Sequence, residues 1–206
     1  NVGASKKTAQ EVLQKIEKWI YPGVSTKKIY AKAYSLLKKQ QKSSSLRYKL
    51  KQALLELGPS GYLFEILVNE VFKAQKFQTE LDVILEGQCI SHEMDVLAKK
   101  ENEIHLIECK YGTHQGKHVN VQVPLYVHSR TNDIIKKYRQ ENKNEDTYYQ
   151  VWIISNTRFS TDSINYAKCV GLKLLAWDYP KHKGLKELLE DSKVYPITIL
   201  SSLNKK

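Results

Sequence analysis

Sulfur is scarce in this chain: its 206 residues include one methionine and three cysteines. Cys89, Cys109 and Cys169 are odd in number and form no CxxC pair. That pattern argues against a disulfide framework and a structural zinc site, and it fits a reducing cytoplasm. Long apolar runs are missing as well. No stretch approaches the roughly 18 residues a membrane-crossing helix needs, and the N-terminal segment lacks a signal-peptide profile. A soluble, cytoplasmic protein with no membrane partner is expected. Acidic residues are nearly absent from one region: residues 1–57 hold 13 Lys plus Arg against 3 Asp plus Glu, whereas residues 58–206 hold 20 against 19. The formal net charge of +11 therefore belongs to the first quarter. Such a quarter is either a set of solvated Lys-rich helices or an electrostatic footprint for a polyanion. Charge by itself does not separate DNA from RNA, nucleotide or an acidic partner.

A hydrophobic fraction of 41% is enough for one good core plus a smaller attached unit. Val12, Leu13, Ile16 and Ile20 recur at helical spacing over Thr8 to Ile20, and Tyr21-Pro22-Gly23 ends that helix. Ser25 or Thr26 can cap a second helix, with Ile29, Ala33, Leu36 and Leu37 on its apolar face. A third is predicted over Leu46 to Leu57, which makes residues 1–57 a small basic helical bundle. After the Gly58-Pro59-Ser60-Gly61 turn, a helix is expected over Tyr62 to Ala74. The pattern then changes to strands at Leu81 to Leu85, Cys89 to Ala98 and Ile104 to Tyr111, broken by Gly87 and by Lys99 to Glu103. Val119 to Val127, interrupted by Pro124, reads as a further strand or edge segment. Tyr149 to Ser155 and Leu172 to Trp177 are strands separated by a helix over Thr161 to Val170, a crossover that favours parallel pairing. The expected fold class is α/β, with a central mixed β-sheet flanked by helices and an N-terminal helical bundle.

Chemistry is concentrated in one hairpin. Alternation along Ile104 to Tyr111 puts Glu108 and Lys110 on one face with Ile104 and Leu106. If the hairpin turns at about Glu101-Asn102, Asp95 faces Glu108 across the ladder. Like charges directly opposite one another are destabilising, and burial raises the cost. A divalent cation relieves it, because magnesium takes hard oxygen ligands from one or two carboxylates together with waters and substrate phosphate. Such an ion stabilises charge on a scissile phosphate and lowers the pKa of a bound water, while a neighbouring ammonium orients the nucleophile or stabilises the transition state. A bare ExK is commonplace on surface hairpins. The acidic residue at hairpin distance, with apolar strands on both sides, gives this one its weight.

Asp95 followed by Glu108-Cys109-Lys110 resembles the PD-(D/E)xK signature, and the surroundings resemble the Mrr-like restriction endonuclease branch of that superfamily. The matching stretches are Gly58 to Glu65, His92 to Val96, Leu125 to Arg130 and Trp177-Asp178, within about Gly58 to Pro196. The resemblance implies a restriction-endonuclease-like core over residues 58–200, with Mg2+ (Mn2+ able to substitute) held by Asp95, Glu108 and the Cys109 backbone carbonyl. It also implies Lys110 in the catalytic role and a supporting acid from the first core helix, a position that Glu65 matches. Glu65 has no Lys or Arg three or four residues away, whereas Glu70 has Lys73 and reads as a surface pair. Two features depart from the pattern: no proline precedes Asp95, and Gln122 is followed by Val123-Pro124 rather than completing a QxK.

His92, Glu93, Gln122, Tyr126 and Arg130 are the further candidates for lining the site. For His92 and Glu93 the alternative is a solvent-facing strand entry, and for Arg130 a structural pair with Asp133. Tyr148, Tyr149, Trp152 and Trp177 sit in strand patterns and read as core rather than as a base-stacking platform. Ser25 to Tyr30 and Leu46 to Leu50 resemble the later half of an ATP-cone, whose phosphate-holding hairpin would precede Asn1; nucleotide binding by this chain is not expected. Tyr195 to Leu200 resembles the entry to a further small module, so that the chain reads as a fragment with a tail at 201–206. The expected activity is Mg-dependent endonucleolytic hydrolysis of DNA, and two-strand cleavage would suit a homodimer. The competing expectations are an inactive nuclease-fold module that binds nucleic acid or regulates a partner, and a structural calcium or ion-pair site at Asp95 and Glu108.

Overall fold

The computed structural model describes residues 5–40, 49–114, 116–141 and 146–199. They divide into two compact units, one formed by residues up to Leu54 together with Pro196 onward, the other by Leu55–Tyr195. Among the described residues the first unit holds α1 (Lys6–Glu17), α2 (Thr26–Gln40) and most of α3 (Leu50–Leu55). Ser5 caps α1 by accepting from the Thr8 N–H, and Ser25 accepts from the Lys28 N–H at the start of α2. Val12, Ala33, Leu37, Leu50 and Ala53 are buried, so the helical periodicity of this region has become a core. A 3-10 turn at Ile197–Ile199 joins the same unit, where the Thr198 hydroxyl donates to the Ala53 carbonyl at 2.6 Å. The expected start of the third helix at Leu46, and the tail beyond Ile199, lie outside the described residues.

The second unit is built on a mixed five-stranded sheet. Its strands are β1 (Gln78–Glu86), β2 (Ser91–Lys100), β3 (Glu103–Lys110), β5 (Tyr148–Ser155) and β7 (Lys173–Leu175), in the spatial order β1-β2-β3-β5-β7. β1, β2 and β3 form an antiparallel meander, and β3, β5 and β7 are parallel. Two further short strands, β4 (His118–Val119) and β6 (Arg158–Phe159), pair in parallel beside it. The helices of this unit are α4 (Tyr62–Ala74), α5 (Gln122–Glu141), α6 (Thr161–Val170) and α7 (Leu185–Ser192). Leu106 of β3 and Val151 and Ile153 of β5 pack with Val127 and Ile134 of α5 and Ala167 of α6. On the other face, Ile154 of β5 meets Leu67 and Val68 of α4 and Leu185 and Leu189 of α7. Each sheet face is thus covered by helices, as alternating apolar positions on parallel strands require.

One expectation is corrected. Val119 to Val127 is not a strand segment: α5 begins at Gln122, directly after β4. Asn120 caps it, its side-chain oxygen accepting from the Gln122 N–H at 3.1 Å, and the Leu125 N–H donates to the Val121 carbonyl. Pro124 falls in the first turn, where no intrahelical partner is needed for the N–H it lacks. The proline that looked like an interruption of a strand therefore belongs to a helix start.

The β2–β3 register pairs Val96 with Ile107, Leu97 with Leu106 and Lys100 with Glu103, with Glu101 at a positive φ of 51° in the turn. This is the expected frame as far as the Val96–Ile107 pair, where the ladder ends; Asp95 does not continue it opposite Glu108 but is tied to β3 through its side chain, which accepts the Cys109 N–H. Met94 and Leu97 contribute to the same core although they stand three positions apart, so the alternation of β2 changes phase around Asp95. On β1 the ladder passes from Leu81–Val96 to Val83–Met94, and the intervening Asp82 has a positive φ of 48°. The irregularity in the two strands coincides at the carboxylates.

Candidate active site at the end of the hairpin

Glu108, the sixth residue of β3, is 3% exposed although it is an acid. Its Oε1 receives the Lys110 ammonium at 2.6 Å and the Tyr126 hydroxyl at 3.0 Å; its Oε2 receives the Arg130 guanidinium at 3.3 Å. Tyr126 and Arg130 stand one turn apart on α5, on the helix that covers this face of the sheet. The Tyr126 ring lies beneath both cations, with the Lys110 Nζ 5.7 Å and the Arg130 Cζ 5.9 Å from its centroid. Arg130 also donates to the Glu93 carbonyl.

Asp95 reaches the same strand from β2. Its Oδ2 accepts the Cys109 N–H at 2.6 Å, which fixes the carboxylate against the backbone between Glu108 and Lys110. Burial, and then the charge of Glu108, push its pKa up to about 6. Glu65 lies in the first turn of α4, where the helix dipole favours an acid. Burial, followed by the charges of Asp95 and Asp82, raises its pKa to about 7. Burial would lower the Lys110 ammonium, but the charge of Glu108 and a hydrogen bond to it override that and hold it well above the ordinary lysine value. The four residues singled out in the sequence, Glu65, Asp95, Glu108 and Lys110, are thus electrostatically coupled.

Cys109 is buried and presents its backbone to this site, while burial raises its thiol pKa well above the usual value. The end of the hairpin is braced from β5. The Ser155 hydroxyl donates to the Lys110 carbonyl at 2.7 Å, and the Asn156 side chain takes the Gly112 N–H and gives to the Gly112 carbonyl, both at 2.8 Å. Beside Lys110 opens a cleft of about 200 Å³ whose lining includes Lys117, His118, Asn120 and Thr157.

The other candidates fall in different places. His92 is paired with Asp133, Nε2 to Oδ2 at 2.9 Å, and the same carboxylate accepts the Cys89 and Ile90 N–H groups. His92 first, then these backbone donors, draw the Asp133 carboxyl down to about 2. This is a clasp between α5 and the β1–β2 turn, so the Arg130–Asp133 pair considered from sequence does not form: Arg130 goes to Glu108 and Asp133 to His92. Glu93 has an exposed side chain and contributes its carbonyl to Arg130. Gln122 is exposed at the first position of α5. Trp152 packs as expected, its indole N–H donating to His105 at 3.2 Å in a cluster with Phe72. Tyr148 is instead 54% exposed, at the start of β5, with its hydroxyl on Gln150. Glu70 and Lys73 form the expected surface pair at 2.8 Å.

Asp82 was missed in the sequence. Periodicity treats it as one more exposed position of β1, and exposed it is, but its charge adds to that of Asp95 in raising the Glu65 pKa. Among the described residues no group of three or more His, Cys, Asp or Glu is arranged so as to hold a metal ion by itself. Two carboxylates are the minimal protein donor set for a hard cation such as magnesium, with the remaining positions left to water and phosphate. Asp95 and Glu108 carry oxygens of that kind, and burial followed by the charge of Glu108 raises the Asp95 pKa. Among the described residues no helix is long and apolar enough to cross a membrane.

No family model matches the chain. An uncharacterized protein of Archaeoglobus fulgidus is 37% identical over 124 residues, which takes in 60% of this chain and 66% of that protein, just under two thirds of its length. The crystal structure of a protein of unknown function, AF1548, is similar with a TM-score of 0.60 at 34% identity, covering 71% of this chain and 73% of that one.

Proposed function

For this chain, which belongs to the family of AF1548, we propose from its own residues the activity of a Mg-dependent endodeoxyribonuclease with a PD-(D/E)xK site. The observation that supports it is the convergence of Asp95, Glu108 and Lys110 at the end of one hairpin, with Glu65 coupled to them from α4. Asp95 and Glu108 are the residues that would hold the cation, with the Cys109 backbone carbonyl as the third donor that the resemblance implies. When bound, the ion would neutralise charge on the scissile phosphate and make a bound water more acidic.

The remaining work falls to the protein. Lys110 stays protonated at any physiological pH and orients the attacking water or meets charge on the phosphate. Glu65, with a pKa of about 7, sits where it can take and release a proton near neutrality. Asn156 and Ser155 hold the strand end that aims Lys110. The basic helical unit supplies charge suited to a polyanion. Supercoiled plasmid incubated with Mg2+ or Mn2+ is expected to be nicked by the wild type. Asp95→Ala abolishes nicking, and Lys110→Ala lowers it by about 10²–10³, the size of losing one transition-state donor. Equal nicking by all three proteins overturns the proposal.

One observation favours a second reading. Glu108 is already neutralised by Lys110 and Arg130 without any cation, as in a structural ion-pair cluster. A non-catalytic module that keeps the fold and binds nucleic acid would retain those pairs. It predicts DNA binding with no nicking in either metal.

A further inference from the structure

We infer that Arg130 is a phosphate-binding residue held in reserve on Glu108: a DNA phosphate draws it away, and its departure opens the carboxylate to the divalent cation. This rests on the nuclease reading and adds a coupling between its two ligands. Three donors converge on Glu108, namely the Lys110 ammonium at 2.6 Å, the Tyr126 hydroxyl at 3.0 Å and the Arg130 guanidinium at 3.3 Å. Both oxygens of a buried carboxylate are therefore engaged. A divalent ion arriving at Oε2 meets the guanidinium, and two cations cannot share that oxygen at close range.

The two pairs differ in how firmly they are made. Lys110 sits at the shorter distance and, two residues along the same strand, has little room to leave. Arg130 makes the longer contact, at 3.3 Å against 2.6 Å for Lys110, and reaches Glu108 from a different element. Its other contacts are the face of Tyr126 and the Glu93 carbonyl, neither of which carries a negative charge, and Asp95 attracts it without a direct ion pair. A planar fork of donors matches two phosphate oxygens as well as it matches a carboxylate, so a backbone phosphate is a direct competitor for it. Once Arg130 has moved, Glu108 keeps Lys110 and has an oxygen for the cation. By linkage, whatever factor DNA adds to cation affinity, the cation adds to DNA affinity.

The exchange predicts effects of opposite sign from one substitution. In Arg130→Gln, Mn2+ measured by calorimetry without DNA binds more tightly than in the wild type, on the order of tenfold. A fluorescent 20-base-pair duplex, measured by anisotropy in EDTA, binds more weakly, with its salt slope lower by about 1 as expected when one phosphate is no longer neutralised. A residue that merely braces the fold would weaken both. In the wild type, a phosphorothioate duplex raises Mn2+ affinity and Mn2+ raises duplex affinity by the same factor, a measurement that needs no variant. Unchanged or weakened Mn2+ binding in Arg130→Gln, or independent binding of metal and duplex to the wild type, overturns the exchange while leaving the nuclease reading standing. A wild type that binds no Mn2+ under either condition overturns both.

Discussion

Asp95 and Glu65 carry the electrostatic cost of the site. Their pKa values in the folded protein, about 6 and about 7, lie above the ordinary carboxylate values near 4. The folded state therefore favours their protonated forms. Their contribution to stability is fully present below about pH 4 and is lost as pH rises through 6 for Asp95 and 7 for Glu65. A cation bound to the ionised forms offsets that loss. Thermal unfolding should accordingly show a small Mg2+ stabilisation at pH 5 and a larger one at pH 8. Asp95→Asn should be more stable than the wild type at pH 8 without metal and should lose most of the Mg2+ increment. The same increment at both pH values, retained in Asp95→Asn, would place the cation elsewhere. Tyr126 makes a smaller contribution. Tyr126→Phe removes a hydroxyl from buried Glu108 and is expected to destabilise by about 1 kcal/mol, read from the denaturation midpoint at constant slope.

At the scale of elements, the hairpin and α5 act together. The β1–β2 turn is gripped by Asp133, and Gly87 leaves the space for it: a Cβ there would stand 2.1 Å from Asp133 Oδ2 and 2.5 Å from the Ile90 carbonyl. Gly87→Ala should cost about 1–3 kcal/mol through this overpacking, measurable by urea unfolding, because the backbone carbonyl cannot yield as a side chain can. Gly171→Ala, with nothing near its Cβ position but a φ of 79°, should cost less, about 1 kcal/mol from backbone strain alone. The meander, α4 and α6 were legible from periodicity because each is a long segment with one apolar face. The start of α5 was not, since Val119 to Val127 is largely apolar and its helical state depends on the Asn120 cap. The partners of Arg130 and Asp133 were invisible for a related reason: each reaches a residue about 20 to 40 positions away, and no local spacing encodes which acid an arginine meets.

Across the molecule, charge and chemistry are separated. The basic excess lies in residues 1–57, while Asp95, Glu108 and Lys110 lie in the unit spanning Leu55–Tyr195. If the helical unit binds DNA, Lys27→Glu with Lys28→Glu, both exposed on α2, should weaken duplex binding to a similar extent for any sequence. The slope of log affinity against log salt should fall by about 1 for each phosphate no longer neutralised, while plasmid nicking at saturating DNA stays near wild type. A change in nicking rate with unchanged affinity would assign those lysines another task. Composition, the strand and helix periods, and the spacing of Asp95 to Glu108 and Lys110 were properties of the chain itself, because they repeat over a few residues or one tight turn. Only the folded structure decided that Glu108 is buried and held by three donors, that the charge of Asp82 acts on Glu65, and that His92 belongs to a clasp. Those outcomes depend on desolvation and on contacts between distant segments, and both arise when the sheet and α5 close over the hairpin.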